Sequence, residues 1–470
     1  MNNHIQQLTV PITFPSGVRM GEGKTRGNLL TQARDGSGQF VLRGTALAGA
    51  IRHAMHAIDF DQTKAFSNWF GSSNDGSNEL IASRIKFADS RLSAGKSSSN
   101  GIGIRNHIAI DRHRGAPIDG GLFSMECLPP GTSTTLVVIV ECMNEDADAA
   151  KLLLQSITGL FEEGIVLGGS GARGIGRAVI SAEAIWNQWD LTDLDQHAEW
   201  LDASFRLRCD GSSLPGTPLD GKVFDAQQLS IQLKLAVPRG QDFLIGDGQG
   251  IEFDIEPQQI VTAAGDNRWL LPGATLRGLF RAYVTRLAAR DGHFVADSYQ
   301  QWQERNANPQ FIPNLTGDDI AYGFASESER DEYHKTPNSI PCHVMRLFGS
   351  AYAKGRIHIA DAVSSGYSVR DAQVRKHVAI DRFSGGANDG FLFDNQTLVD
   401  GEFIVNITVK NPTEEDANWI IQTIRAVDMG LIRVGSSKGA GRLALLQSPN
   451  ANGPFAEKIK QLQPLEVHCA

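Results

Sequence analysis

The chain has 470 residues, of which 44 are basic and 53 are acidic, so its formal net charge at pH 7 is −9. A hydrophobic content of 41% and a charged content of 21% are typical of a soluble globular protein of two or three domains. The acidic balance excludes a uniformly basic nucleic-acid binder, but it is compatible with a local basic groove.

Cysteines and apolar stretches favour a cytoplasmic location. The five cysteines include no CxxC pair, which argues against a zinc ribbon or a disulfide framework and favours a reducing compartment. The first residues lack a basic segment followed by an apolar one, so no signal peptide is expected. The longest apolar stretch, residues 136–140, is far shorter than the roughly 18 residues that span a bilayer.

Five sequence landmarks occur twice in the same order. They are LRGTALAGAIR and LPGATLRGLFR (42–52 and 271–281), WFGS and LFGS (69–72 and 347–350), RIKFAD and RIHIAD (84–89 and 356–361), RNHIAIDR and RKHVAIDR (105–112 and 375–382), and GGSGARGIGR and GSSKGAGR (168–177 and 435–442). Such a repeat predicts two homologous domains. We assign residues 1–190 and 225–450 to them, with an acidic connector at 191–224, an insertion at about 287–336 and a tail at 451–470.

The landmarks order the predicted elements along each copy. A strand with alternating apolar residues comes first (8–14 and 229–235), followed by a long polar loop and a helix that begins at the GTALAG or GATLRG segment. A short strand, a hairpin, a strand (135–141 and 402–410), a helix (146–161 and 414–428), a glycine-rich loop and a last strand complete the copy. This order predicts an α+β fold of two tandem ferredoxin-like, or RRM-like, domains.

The glycine-rich loop of the first copy contains GSGARG at residues 169–174, formally a GxGxxG motif. A dinucleotide site needs a strand before this motif and a helix after it, whereas here a helix precedes and a strand follows. Both copies combine glycine with cations, which lets a phosphate backbone approach closely and be neutralised. A plain turn with solvated cations is the alternative.

The hairpin segments share the spacing HxxxDR, which places His107 and Asp111-Arg112 in one copy and His377 and Asp381-Arg382 in the other. Histidine and arginine can stack on bases and bind phosphate, so we interpret them as RNA contacts. The alternative is a polar strand face on which the aspartate pairs with the arginine.

Loop carboxylates follow the first strand of each copy. They are Glu22 and Asp35 in the first copy, and Asp247, Asp254, Glu256 and Asp266 in the second. Loop carboxylates beside a phosphate-binding body can hold Mg²⁺ or act as a base. Most such residues only form turns, and Asp35-Gly36 and Asp266-Asn267 are typical of turns.

The repeated blocks resemble the repeat-associated mysterious proteins, the RAMP superfamily of CRISPR–Cas systems. They look closest to the backbone subunits of type III effector complexes, family seven of the Cas proteins, fused in tandem as in subtype III-D variants. The resemblance implies that each domain is a palm laid along the CRISPR RNA. The hairpins would be thumbs that wedge into the guide–target duplex and flip a base, and the glycine-rich loops would contact the guide backbone. Partners would be CRISPR RNA, complementary target RNA and other effector subunits, with no membrane.

On this resemblance we expect a set of basic and glycine residues to bind RNA. They are Arg43, Arg52, Arg105, His107, Arg112, Arg173, Arg177, Arg277, Arg281, Arg375, His377, Arg382, Lys438, Arg442, Gly169, Gly171, Gly174 and Gly439.

Catalytic members of the family cleave target RNA with an aspartate in the loop before the PGxxLxG block and a divalent metal such as Mg²⁺. Counting back from Gly44 by the family spacing reaches Asn28, and counting back from Gly273 reaches Pro257, which Asp254 and Glu256 flank. We therefore expect Asp254 to be the catalytic residue and metal ligand, with Glu256 second and Asp35 the first-copy candidate. The alternatives are a catalytically inert backbone subunit and a CRISPR RNA processing endoribonuclease that uses His107 or His377 as acid–base.

Overall fold

A computed structural model describes most of the chain. The described residues are 3–57, 69–71, 81–95, 102–110, 117–169, 171–209, 215–221, 228–247, 252–293, 295, 342–349, 354–435 and 440–465. Most of the predicted insertion, and the predicted RNA contacts Arg112, Lys438 and Gly439, lie outside these residues.

The first copy is a ferredoxin-like sheet with two helices on one face. Its elements are β1 (His4–Phe14), β2 (Gly21–Arg26), β3 (Leu29–Gln32), β4 (Val41–Leu42), α1 (Gly44–Ala57), β5 (Ile85–Phe87), β6 (Ser90–Arg91), β7 (Gly103–Ile110), β8 (Pro117–Cys127), β9 (Thr132–Cys142), α2 (Ala147–Glu163), β10 (Ile165–Val166), β11 (Arg177–Ile180) and β12 (Ile185–Asp190). The strand order is β5–β9–β1–β11, and β1 pairs antiparallel with β9 along its whole length. Alternate residues of β1, from Leu8 to Phe14, are buried against both helices in one core, as the period of two predicts.

The connector packs on the opposite face of this sheet. It forms the helix α3 (Leu194–Cys209) and the short strand β13 (Thr217–Pro218), which pairs with β12. Ile5, Trp189 and Ala203 make a small separate core between the sheet and α3.

The second copy repeats the same sheet. Its elements are β14 (Gln228–Ala236), β15 (Gln259–Val261), β16 (Asn267–Leu271), α4 (Gly273–Arg290), α5 (His343–Phe348), β17 (Ile357–Ile359), β18 (Ala362–Val363), β19 (Ala372–Ile380), β20 (Ala387–Leu398), β21 (Glu402–Lys410), α6 (Glu414–Asp428), β22 (Ala444–Leu445), β23 (Asn450–Asn452) and α7 (Ala456–Lys460). The order β17–β21–β14–β22 matches that of the first copy. β23 pairs with β14, and Ile459 and Leu462 are buried in the second core, so part of the sequence assigned to a tail belongs to this domain's packing.

The α+β class and the tandem ferredoxin-like arrangement are confirmed, but the prediction of a long loop after the first strand is wrong in both copies. In the first copy this segment contains β2 and β3, which join β8 and β7 in a four-stranded sheet. In the second it contains β15 and β16. These strands are short, β2 contains two glycines, and β3 and β16 each have one partner that is distant in sequence, so local alternation does not reveal them.

Two β-hairpins, β7–β8 and β19–β20, are the predicted thumbs. In the second thumb, β19 ends at Ile380, and Asp381 begins the tip rather than continuing a strand face. Its Oδ1 accepts hydrogen bonds from the amides of Phe383 (2.9 Å) and Ser384 (2.7 Å). The interpretation that this aspartate pairs with Arg382 on a strand is therefore wrong. The turn presents Phe383 with 99% of its surface exposed.

Candidate functional site

The glycine-rich loop of the first copy packs against the second copy. The Gly174 carbonyl accepts from the Asp361 amide (2.8 Å), and the Gly171 carbonyl accepts from His358 Nδ1 (2.9 Å). A Cβ on Gly174 would lie 2.9 Å from the Gly273 Cα, and Gly174 has φ 87°. Glycine is thus required where the two backbones meet. The interpretation of this loop as a phosphate contact did not reveal that role.

A buried ion pair joins the copies at the same junction. Arg105 on β7 bonds Asp361 through its Nη1, with side-chain exposures of 6% and 0%. Asp361 Oδ1 also accepts from the Gly273 amide at the start of α4 (2.7 Å). Burial opposes the charged form of both groups: the charge of Asp361 still raises the pKa of Arg105, whereas burial raises the pKa of Asp361 despite the charge of Arg105. The contact that the structure gives Arg105 is therefore with the second domain.

Basic side chains are concentrated around the contact between His358 and Gly171, and we call Arg277, Lys354 and His358 the junction basic residues. Burial, and secondarily the charge of Arg281, lowers the pKa of Arg277 to about 10. Burial, and then the positive charge of Lys410, lowers the pKa of Lys354. Burial lowers the pKa of His358 to about 4, and the positive charges of Arg177, Arg277 and Lys354 contribute, so its imidazole is neutral at pH 7. Among the described residues, His358 Nε2 has no hydrogen-bond partner. A phosphate placed here would relieve the repulsion among these groups.

Two predicted RNA-binding arginines occupy equivalent structural positions. Arg177 Nη2 donates to the Glu163 carbonyl (2.8 Å) at the end of α2. Arg442 donates to the carbonyls of Val427 (2.8 Å) and Asp428 (2.6 Å) at the end of α6. Both arginines therefore satisfy carbonyls that a helix carboxyl terminus leaves without partners. Sequence reasoning missed this role because the helix end is more than ten residues away.

Each thumb base contains a stacked histidine and phenylalanine. His107 stacks on Phe123 with ring centroids 5.3 Å apart, and His377 stacks on Phe393 at 5.1 Å. The Arg173 guanidinium carbon also lies over the Phe123 ring, 4.6 Å from its centroid. Burial, and then the charges of Arg173 and Arg105, lowers the pKa of His107 to about 4, so its imidazole is neutral at pH 7.

An apolar stripe runs along one face of each thumb. The exposed residues are Ile104, Ile108, Ile110 and Leu122 in the first thumb and Val374, Val378, Ile380 and Leu392 in the second. Ile108 faces Leu122 across the first hairpin, and Val378 faces Leu392 across the second, so the two stripes are equivalent. Flat apolar surface of this kind suits the faces of bases.

The loop carboxylates of the second copy lie against its thumb. Asp254 is exposed, its Oδ2 accepts from the Asp394 amide (2.8 Å), and its own amide donates to Asp394 Oδ1 (3.1 Å). Glu256 Oε1 accepts from the amides of Glu252 (2.6 Å) and Phe253 (3.1 Å) and so closes the loop. Asp394 on β20 is a second carboxylate that sequence reasoning missed, since it is 140 residues away.

These two carboxylates fit a metal that is shared with a substrate. In the part of the chain that the structure describes, no group of three His, Cys, Asp or Glu side chains is placed to hold a metal ion. Mg²⁺ usually takes one or two carboxylates and completes its shell with waters and substrate phosphates, which Asp254 and Asp394 can accommodate.

Backbone pairing shows which loop residues correspond, and it corrects the count from Gly44 and Gly273. Leu30 pairs in parallel with Met125, and Ile255 bridges Asn395 in the same way. Gly21 faces Gln32 as Gly246 faces Pro257. Asn28 therefore corresponds to Phe253, four residues from the predicted match, because the second copy has four more residues before its helix. Leu29 and Thr31 occupy the positions of Asp254 and Glu256.

The first-copy candidate Asp35 has its carboxylate occupied in a turn. Its Oδ1 accepts from the Ser37 hydroxyl (2.7 Å) and from the amides of Ser37 and Gln39 (2.9 Å each). Its Oδ2 pairs with Arg91 Nε (3.1 Å). These bonds, led by that from the Ser37 hydroxyl, lower the Asp35 pKa to about 2. The turn-forming interpretation accounts for this arrangement.

The remaining predicted contacts lie at several places on the surface. Arg43 pairs with Asp89 (2.9 Å), and Arg375 pairs with Asp242. Arg382 is exposed at the thumb tip, whereas Arg52 and Arg281 are half-buried on α1 and α4. Gly169 is exposed in the loop that precedes the Gly171–Arg173 turn.

Comparison with known proteins agrees with the tandem ferredoxin-like architecture. The family model described as the RAMP superfamily matches residues 11–179 and 241–444, one region in each copy. The chain therefore belongs to the RAMP superfamily. No curated protein sequence matches it.

Solved structures with similarity to the chain include a chain of Type III-B Cmr-beta in the apo state, with 14% identity and a TM-score of 0.30 over 37% of this chain and 96% of that chain. Another is a chain of Type III-B Cmr-beta bound to cognate target RNA, with 15% identity and a TM-score of 0.31 over 38% and 96%. None of the described helices is long and apolar enough to cross a membrane.

Proposed function

We propose that this protein is a double backbone subunit of a type III CRISPR effector complex, which binds CRISPR RNA along both copies and positions complementary target RNA against the thumbs. The observation that carries the proposal is the set of junction basic residues. They lie together where the two palms meet, and burial lowers the pKa of each, an effect that a bound phosphate would oppose. A cytoplasmic location accompanies this role.

The thumbs supply the second half of the proposal. Each apolar stripe is a surface on which the faces of bases can pack. Phe383 is fully exposed at the tip of the second thumb. An aromatic ring in this position can stack on a base that has left the duplex. One thumb per copy would divide the bound duplex at a regular interval.

We further propose that the second copy cleaves the target RNA and the first copy does not. Asp254 and Asp394 would hold a divalent metal such as Mg²⁺, which neutralises phosphate charge when bound. In the reaction, the target 2′-oxygen forms a bond to phosphorus, the P–O5′ bond breaks, the 2′-hydroxyl proton passes to a carboxylate, and water protonates the leaving oxygen. Leu29 at the equivalent position offers no such group.

The processing alternative fits the geometry less well. His107 is stacked on Phe123, whose ring also contacts Arg173, and its lowered pKa of about 4 leaves it without the protonated form that a general acid needs at neutral pH. A cleavage assay distinguishes the proposed nuclease from the alternative of a catalytically inert backbone subunit.

Cleavage by the assembled, guide-loaded complex tests the catalytic assignment. A guide-complementary RNA is incubated with Mg²⁺ or with EDTA, and target binding is measured in parallel. We expect Asp254→Asn and Asp394→Asn to lose a cut and retain target binding, while the matched first-copy control Asp35→Asn keeps every cut. Unchanged cuts in both second-copy variants would refute the assignment of catalysis to this loop. Target binding without any cut in the wild type would leave the inert backbone role.

A further inference from the structure

The contact that joins the two copies has a counterpart at each outer end of the chain. Gly44 and Gly273 both donate to a carboxylate, Asp89 Oδ1 and Asp361 Oδ1, each at 2.7 Å. Asp89 is therefore the first-copy equivalent of Asp361. By the repeat and the hairpin register, Arg375 is the second-copy equivalent of Arg105.

The inner and outer versions differ in the residue beside each charged group. Gly17 and Asp242 are equivalent, because their carbonyls accept from Gly176 (2.8 Å) and Gly441 (2.7 Å). Arg105 thus has glycine beside it, whereas Arg375 has Asp242 and pairs with it. Pro272 precedes Gly273, whereas Arg43 precedes Gly44 and pairs with Asp89 at 2.9 Å.

The exposures follow this pattern. Arg105 and Asp361 are 6% and 0% exposed because each copy covers the other's charge. Arg375 is 51% exposed, and Asp89 is also 51% exposed, since neither has a neighbouring copy. Each end of the chain has therefore replaced the cross-domain ion pair with an internal one.

We propose that these two internal pairs prevent the chain from adding to a second copy of itself end to end. A repeat of the inner contact between chains would place Arg375, already paired with Asp242, against Asp89, already paired with Arg43. Two arginines and two aspartates would then meet in one buried site, where each charge must lose its internal partner or be buried with it, and either outcome opposes association. Heterologous contacts otherwise extend without limit, so this arrangement stops the repeat at two.

The same charges specify which neighbours the ends accept. The Arg375 face fits a different subunit with a neutral residue at the position of Arg43, as Pro272 is in the inner contact. The Asp89 face fits a different subunit with a neutral residue at the position of Arg375. This inference rests on the ion pairs alone and is independent of RNA binding.

Self-association of the full chain tests the proposal. The double variant Arg43→Gln/Asp242→Asn frees Asp89 and Arg375 and leaves an uncharged polar side chain at each position. Sedimentation velocity across a concentration series is expected to show end-to-end oligomers that form about tenfold or more tightly than any wild-type species and weaken with added salt. Circular dichroism verifies that the variant is folded.

A matched triple variant, Arg43→Gln/Asp242→Asn/Asp89→Asn, removes the carboxylate that the double variant frees. We expect it to return to the wild-type association state. A double variant that associates no more tightly than the wild type would overturn the proposal. A triple variant that associates as tightly as the double would also overturn it, because the new ion pair would then play no part.

Discussion

The two copies share a fold but differ in the loop that lies against the thumb. Both place a histidine on a phenylalanine at the thumb base, and both end the glycine-rich loop in an arginine that caps a helix. Their loops pair with the thumb in the same parallel register, yet Leu29 stands where Asp254 stands. Backbone pairing holds the architecture, so one side chain in a surface loop can differ in chemistry without changing the fold.

The buried ion pair between the copies and the exposed ion pair of the first copy should contribute differently to stability. Arg105→Ala leaves Asp361 buried without its charge partner, and we expect the free energy of unfolding to fall by about 3–5 kcal/mol. The exposed pair of the first copy is probed by Arg43→Ala, which keeps the hydrogen bond between Asp89 and Gly44, with an expected loss of about 1 kcal/mol, because solvent screens that pair. Urea denaturation of the full chain measures both. Similar losses in the two variants would contradict the assignment of Arg105 to the junction.

The pH dependence of stability tests whether His358 is buried at the junction between the copies. The pKa of His358 in the folded chain is about 4, against 6.5 in the unfolded chain, so the unfolded state binds the proton first as the pH falls. Stability is therefore full above pH 6.5 and decreases as the pH falls to about 4, by about 2–3 kcal/mol for this one group.

His358→Gln should flatten that part of the stability profile, leaving the similar contribution of His107. Urea midpoints between pH 4 and pH 8 supply the measurement. An unaltered slope in His358→Gln would show that this imidazole is not buried at the junction.

The sequence was sufficient to predict the order of the ferredoxin-like elements, because the same landmarks occur in both copies. Alternation in β1 and β14, and the spacing of the landmarks, predicted the strand and helix order in each copy. The site was less accessible. Arg105 meets Asp361 across 256 residues, and Asp254 meets Asp394 across 140, so only the three-dimensional packing shows these partners. Counting residues back from Gly44 and Gly273 also failed to match the two loops, because the second copy has four more residues before its helix.

Binding of guide RNA tests the role of the junction basic residues. The double variant Arg277→Gln/His358→Gln removes one cation and one imidazole from the junction, while Arg290→Gln removes a cation from the exposed end of the same helix, where it pairs with Asp291. We expect the affinity of the full chain for a CRISPR RNA to fall about tenfold or more in the double variant, with a salt dependence shallower by about one counterion, that of Arg277. Arg290→Gln should match the wild type. Equal affinity and equal salt dependence in all three proteins would contradict the account.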